Sequence, residues 1–207
     1  MKEVLRKYRD SDYAQCEFLV NEAWGFDKIF LPEPLSDFAK CIYTKGSVLS
    51  SNFRAVIEVD GNVAGFIFGL NEHSKRPGKN LIFALKMLWR ILFIKSEKPV
   101  DKNVFINAIN IHEQRKSKLV KKGQSEIVLF VVDKKYQGRG YGKRLWSEFL
   151  DQFSGEEATS IVVETNKFGA SSFYECLGFK HLGNFDSPLH EFATKDGQAC
   201  IYEYRCK

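Results

Sequence analysis

The chain has 207 residues, 44% hydrophobic and 14% aromatic, which is enough apolar surface to offset chain entropy and to exclude a disordered protein. Its formal net charge is +5, yet residues 72–125 hold thirteen Lys and Arg against four acids, so this segment carries +9 and the remainder −4. Length and charge together predict one domain over 1–207 with a basic, partly helical insertion at about 72–124, and they leave little room for two domains.

The opening segment MKEVLRKYRD is charged and lacks the apolar run of a signal peptide, so the cytoplasm is the expected compartment. Cys16, Cys41, Cys176, Cys200 and Cys206 are scattered, odd in number and form no CxxC pair. The four histidines fall at no ligand spacing, so reduced thiols and no metal are expected. Cys176 reads first as a small buried hydrophobe, with the lining of a functional site as the alternative.

Val4 to Arg9 alternates as a short strand, and Asp10-Ser11-Asp12 supplies N-cap chemistry for a helix ending at Gly25. Pro32 and Pro34 open a second helix running to about Lys45, with Gly46 closing it. Arg54 to Val59 and Val63 to Leu70 are β-rich runs joined by Asp60-Gly61-Asn62, which predicts an antiparallel hairpin with a tight turn. In the insertion, the apolar run between Leu81 and Ile94, interrupted by Lys86 and Arg90, predicts a basic amphipathic helix too short to span a membrane, followed by a basic tail after Pro99. Four placements are open to that helix: covering the sheet, capping an acceptor groove, pairing subunits as a homodimer, or peripheral contact with an anionic membrane.

Ser125 to Val132 is apolar enough for a central strand, and a helix from about Gly140 to Phe153 follows it. A strand (Ser160 to Thr165), a helix (Ala170 to Leu177) and two closing strands (Phe179 to Phe185 and Ala199 to Arg205) complete the order. The fold class is therefore mixed α/β (α+β), a sheet flanked by helices.

Between strand and helix lies Val131-Val132-Asp133-Lys134-Lys135-Tyr136-Gln137-Gly138-Arg139-Gly140-Tyr141-Gly142-Lys143-Arg144. Alternate glycines let the backbone approach a ligand, and the helix start offers unpaired N–H groups to a phosphate, with Arg139, Lys143 and Arg144 adding positive charge. A Walker loop is excluded, because Gly142-Lys143 is followed by Arg144 and the position five before Gly142 is Gln137. The spacing of Gly138, Gly140 and Gly142 also departs from the Rossmann pattern GxGxxG.

Gln137 to Gly142 matches the Q/R-x-x-G-x-G/A signature of the GNAT N-acetyltransferase superfamily. Asn166 and Ala170-Ser171-Ser172-Phe173-Tyr174-Glu175-Cys176-Leu177-Gly178-Phe179 resemble that family's second motif. The resemblance covers about residues 126 to 185. It implies a mostly antiparallel sheet whose fourth strand splays from the next to admit acetyl-coenzyme A. It also implies an amine acceptor and a coenzyme site made by Phe130, Val131, Val132, Gln137, Gly138, Arg139, Gly140, Tyr141, Gly142, Lys143 and Asn166. The loop departs from the family in lacking the proline often found before the Gln position.

Acetyl transfer from a thioester to an amine calls for a base and for a proton donor to the leaving thiolate. Glu126 is the candidate base. Under strict alternation it shares a face with Val128, Phe130 and Val132, and it stands eleven residues before Gln137, the interval seen in histone-acetylating members of the family. The resemblance assigns the acid role to Tyr174, although Ala170, Phe173 and Leu177 place it equally on an apolar stripe. Two other classes stay open. One is an acyl-coenzyme A binding module without catalysis. The other is a nucleic-acid module using Arg115, Lys116, Lys118, Lys121 and Lys122, for which no interleaved aromatic platform exists, so no nucleic acid is expected. The charge split predicts that highly cationic acceptors are poor.

Overall fold

The computed structural model describes residues 2–30, 33–75, 78, 80–93, 102–121, 123–153, 160–166, 169–191 and 197–206, with backbone alone for 102–106. The strands are β1 (Glu3–Lys7), β2 (Phe53–Val59), β3 (Asn62–Leu70), β4 (Ser125–Val132), β5 (Ser160–Asn166), β6 (Lys180–Asp186) and β7 (Gln198–Arg205). The helices are α1 (Tyr13–Trp24), α2 (Phe26–Ile29), α3 (Glu33–Ser50), α4 (Leu81–Phe93), α5 (Lys102–Lys116), α6 (Tyr141–Leu150), α7 (Ser171–Cys176) and α8 (Pro188–Glu191). All seven strands lie in one sheet, ordered β1-β2-β3-β4-β5-β7-β6, with antiparallel neighbours except for the parallel pair β4–β5.

The β2–β3 hairpin forms as its turn chemistry predicts. Asp60 and Gly61 both take positive φ, 48° and 83°, the backbone that a two-residue turn needs to match strand twist. One face of the sheet packs Ile57, Ile67, Ile127, Ile161 and Val163 against Leu145, Trp146 and Phe149 of α6. The other packs Val56, Phe66, Phe68, Leu129 and Val131 against Cys16, Leu19 and Val20 of α1 and Val48 of α3. β3 is buried along nearly its whole length because both faces are covered.

Four expectations change. Gly46 does not end the second helix, which continues to Ser50; Ser50 and Ser51 side chains bond back to carbonyls one turn earlier. The segment after Pro99 is not a tail but the helix α5, which lies against β6 and α8. The apolar helix α4 does not cover the sheet: it rests on α3 through Ile91 and Met87, against Leu35, Phe38 and Ile42. Cys176 is exposed rather than buried, although all five cysteines are free as expected.

Candidate active site

On one side β4 is paired with β3 from Glu126 to Val132. On the other, β5 pairs only at Ser125↔Ile161, Glu126↔Val162 and Ile127↔Val163, and the two strands then part. The register between β3 and β4 explains the parting. Phe68 faces Leu129 and Gly69 faces Ile127, so Val128 is an extra residue, and a bulge of this kind bends its strand and increases the twist. Phe130, Val131 and Val132 consequently keep an edge that no strand occupies among the described residues.

The bulge also corrects the face predicted for Glu126. Phe130 and Val132 pack with the α6 side, Leu129 and Val131 with the α1 side, and the inverted alternation puts Glu126 on the latter.

The glycine loop closes the open edge at its far end. Asp133 accepts the Lys135 N–H at 2.9 Å, and Gln137 Nε2 donates to the Val132 carbonyl at 3.1 Å, pinning the loop to β4. Gly138 and Gly140 adopt φ of 76° and 82°, a region costly to residues with a Cβ. Gly142 serves for closeness, because a Cβ there would meet the Phe173 ring at 3.0 Å. The Arg144 N–H is bonded to Gly140 O, so the N–H groups of Tyr141, Gly142 and Lys143 precede the first helical bond and are available to an anion. Lys143 and Arg139 are exposed beside them.

Two residues of the loop serve the fold instead. Tyr141 is buried and its hydroxyl donates to Glu3 on β1, while Arg144 reaches the same carboxylate at 3.0 Å. The Tyr141 hydrogen bond, with Arg144 beside it, lowers the Glu3 carboxyl below its usual range. Arg144 thus contributes less to an anion at the loop than its position in the sequence suggests. Asn166, at the end of β5, has a buried Oδ1 with no hydrogen-bond partner among the described residues. A buried acceptor left in this state fits a site that takes a donor from a ligand.

Where β4 and β5 part, the insertion enters. Lys116 of α5 places Nζ 2.6 Å from Glu126 and 3.3 Å from Glu164 of β5. His112, one turn earlier, sets Nε2 at 3.3 Å from Glu164 and Nδ1 at 2.8 Å from the Ser187 hydroxyl. His190 of α8 completes the set with Nε2 2.9 Å from Glu164. Burial opposes the charge on Glu164, but His112, His190 and Lys116 outweigh it and hold the carboxyl far below its usual range. Burial likewise works against the Lys116 ammonium, and Glu126 and Glu164 more than restore it. One ligand atom from each of His112, Glu164 and His190 lies within 4.8 Å of the others, a separation a metal could bridge. The Glu164 carboxylate, however, already takes both imidazoles and the ammonium. None of these partners was visible in the sequence: Glu164 is one acid in a strand, and the histidines are far apart along the chain.

Tyr174 is 5% exposed, with its ring against Phe173 and Phe179. Burial, then Tyr43, push its hydroxyl above the ordinary tyrosine value, so it stays protonated at neutral pH. Tyr43 of α3 leaves 37% of its surface exposed while its ring packs on Trp24 and Phe26. Burial of the hydroxyl end, then Glu164, raise it as well. Glu126 and Tyr174 share no contact among those described; Tyr43 responds to Glu164, and Tyr174 in turn responds to Tyr43.

A strand that parts from its neighbour at a bulge, with a glycine loop at its end, is the arrangement implied by the motif resemblance. A family model described as an acetyltransferase (GNAT) domain matches residues 104–186. That match covers less than half of the chain, and over it the residues resemble the GNAT acetyltransferases. Among solved structures, PH1933 from Pyrococcus horikoshii OT3 superposes with a TM-score of 0.63 at 17% identity, covering 100% of this chain and 99% of that one. An N-acetyltransferase from Staphylococcus aureus Mu50 gives 0.57 at 14% identity with 100% of both chains covered. The ribosomal-protein-S18-alanine N-acetyltransferase from Escherichia coli gives 0.53 at 14%, covering 99% of this chain and 94% of that one. At these identities the likeness is one of fold. In sequence, 58 residues are 40% identical to an uncharacterized protein of Mycobacterium leprae (strain TN); they make up 28% of this chain and only 16% of that relative.

Proposed function

We propose that this protein transfers the acetyl group of acetyl-coenzyme A to a primary amine of a small molecule or peptide by direct attack within a ternary complex. The observation that carries the reading is the parting of β4 from β5 after Ile127↔Val163, which leaves the edge of Phe130 to Val132 open and leads to the loop Gln137–Lys143. In this reading the N–H groups of Tyr141, Gly142 and Lys143 hold the pyrophosphate, and Asn166 Oδ1 accepts from the pantetheine arm. The backbone of Phe130, Val131 and Val132 orients the thioester.

The amine nitrogen attacks the thioester carbonyl, and the carbon–sulfur bond then breaks. Glu126, directly or through water, takes a proton from the amine. Tyr174, whose hydroxyl holds its proton at neutral pH, delivers one to the departing thiolate. The +9 insertion disfavours strongly cationic acceptors.

One observation favours a second reading, in which an acyl-coenzyme A is held without transfer: the Lys116 ammonium already rests on Glu126. Incubating the full chain with acetyl-coenzyme A and a panel of amines, and following thiol release, separates the two. Acceptor-dependent release supports transfer. Tight binding of acetyl-coenzyme A with no release for any amine supports the second reading, and failure to bind it rejects both.

A further inference from the structure

We propose that α4 is an interfacial anchor that lays its outward face on an anionic lipid bilayer. The helix, Leu81–Phe93, has three residues turned toward the protein at helical spacing: Phe83, Met87 and Ile91, of which Ile91 is buried. The opposite arc, about 140° wide at 100° per residue, is occupied by Leu81, Ile82, Leu85, Leu88, Trp89, Leu92 and Phe93 and by no polar residue. All seven are between 51% and 69% exposed. An apolar face of this size on one short helix exceeds what scattered surface hydrophobes produce.

The two charged residues of the helix decide what covers that face. Lys86 and Arg90 lie one turn apart at the border between the outward arc and the protein-facing stripe, at the level where cations meet lipid headgroups when an apolar face is immersed. Trp89, stacked on Phe93 at 5.3 Å, is an aromatic of the kind that favours the same boundary. The helix is too short to cross a bilayer, so it lies in the plane of the surface. Pairing with a second copy is the less favourable occupant, because it would bring two Lys86–Arg90 edges and two +9 segments together. An anionic surface complements both.

The test is flotation of the full chain with vesicles of equimolar phosphatidylcholine and phosphatidylglycerol, with pure phosphatidylcholine as comparison and Trp89 fluorescence as a second readout. The expected result is binding to the anionic vesicles with a blue shift, weaker by about tenfold or more on neutral vesicles. The double variant Leu85→Glu/Trp89→Glu should lose flotation, and Lys86→Glu/Arg90→Glu should weaken it by about tenfold or more. All four positions are exposed, so thermal unfolding of both variants should match the parent. No flotation of the parent, or flotation that survives Leu85→Glu/Trp89→Glu, overturns the proposal. So does equal binding to neutral vesicles. A dimer in light scattering that Leu85→Glu/Trp89→Glu dissociates, with no vesicle binding, would assign the face to a second copy instead.

Discussion

Nζ of Lys116, the last residue of α5, lies 2.6 Å from Oε1 of Glu126, the second residue of β4. A cation from the insertion therefore balances the carboxylate that the motif spacing marks as the base, at the point where the sheet opens. Removing the cation takes from Glu126 the ammonium that rests on it and leaves Glu164 with His112 and His190 alone. Lys116→Met is expected to cost on the order of 3 kcal/mol at pH 7, read by urea unfolding. The double variant Lys116→Met/Glu126→Gln should recover part of that loss; strict additivity would show that the pair is not coupled.

Glu164 gives a pH signature. Its folded-state value is depressed, so its stabilising contribution is complete above the unfolded carboxylate value of about 4.3 and is lost as pH falls toward the folded value. Stability of the parent should therefore fall as pH drops below about 5, and Glu164→Gln should flatten that part of the curve while lowering stability at neutral pH. Equal slopes for parent and variant between pH 5 and pH 3, measured by denaturant unfolding, would remove Glu164 from the account.

The two proton-transfer roles proposed for Tyr174 and Glu126 separate kinetically. Tyr174→Phe keeps the ring against Phe173 and Phe179 and deletes the hydroxyl, so kcat should fall by about 100-fold or more while the Kd for acetyl-coenzyme A changes little. Glu126→Gln should flatten the acidic limb of the kcat/KM profile. Parent-like kinetics in both variants would assign the chemistry to other groups.

At the loop, backbone strain and charge are distinguishable. Gly140 has φ of 82° and open space around it, and asparagine tolerates that backbone better than most residues. Gly140→Asn should keep measurable acetyl-coenzyme A binding, whereas Gly140→Asp, similar in shape but negative, should abolish it in calorimetry. Lys143→Ala should weaken binding by about tenfold, and Arg144→Ala, whose guanidinium is engaged by Glu3, should have little effect. The reverse order would place the phosphates elsewhere.

Polyamines should be poor acceptors, with spermine well below a monoamine in kcat/KM. A best rate with spermine would contradict the charge argument. Excising residues 75 to 120 is a poor way to test the insertion, because the cut also strips Lys116 and His112 from Glu164.

Local chemistry was enough to read the β2–β3 hairpin from Asp60-Gly61-Asn62, the extent of β4 and the loop from Gln137 to Lys143, because each depends on backbone preferences and on neighbours in sequence. Contacts between distant segments were not legible. The extra residue at Val128, which turns Glu126 away from the face shared by Phe130 and Val132, depends on how β3 pairs with β4, and alternation within one strand carries no sign of it. The cluster of Lys116, His112, Glu164 and His190 forms because α5 and α8 pack over the start of the opening between β4 and β5, and single ionisable residues scattered along a chain do not announce such a meeting. The sequence by itself determined the strands, the helices α1, α4, α6 and α7 and the glycine loop between β4 and α6. Only the tertiary structure decided which charges share the opening and which apolar helix face is left uncovered, since burial and ion pairing depend on what surrounds a group in space.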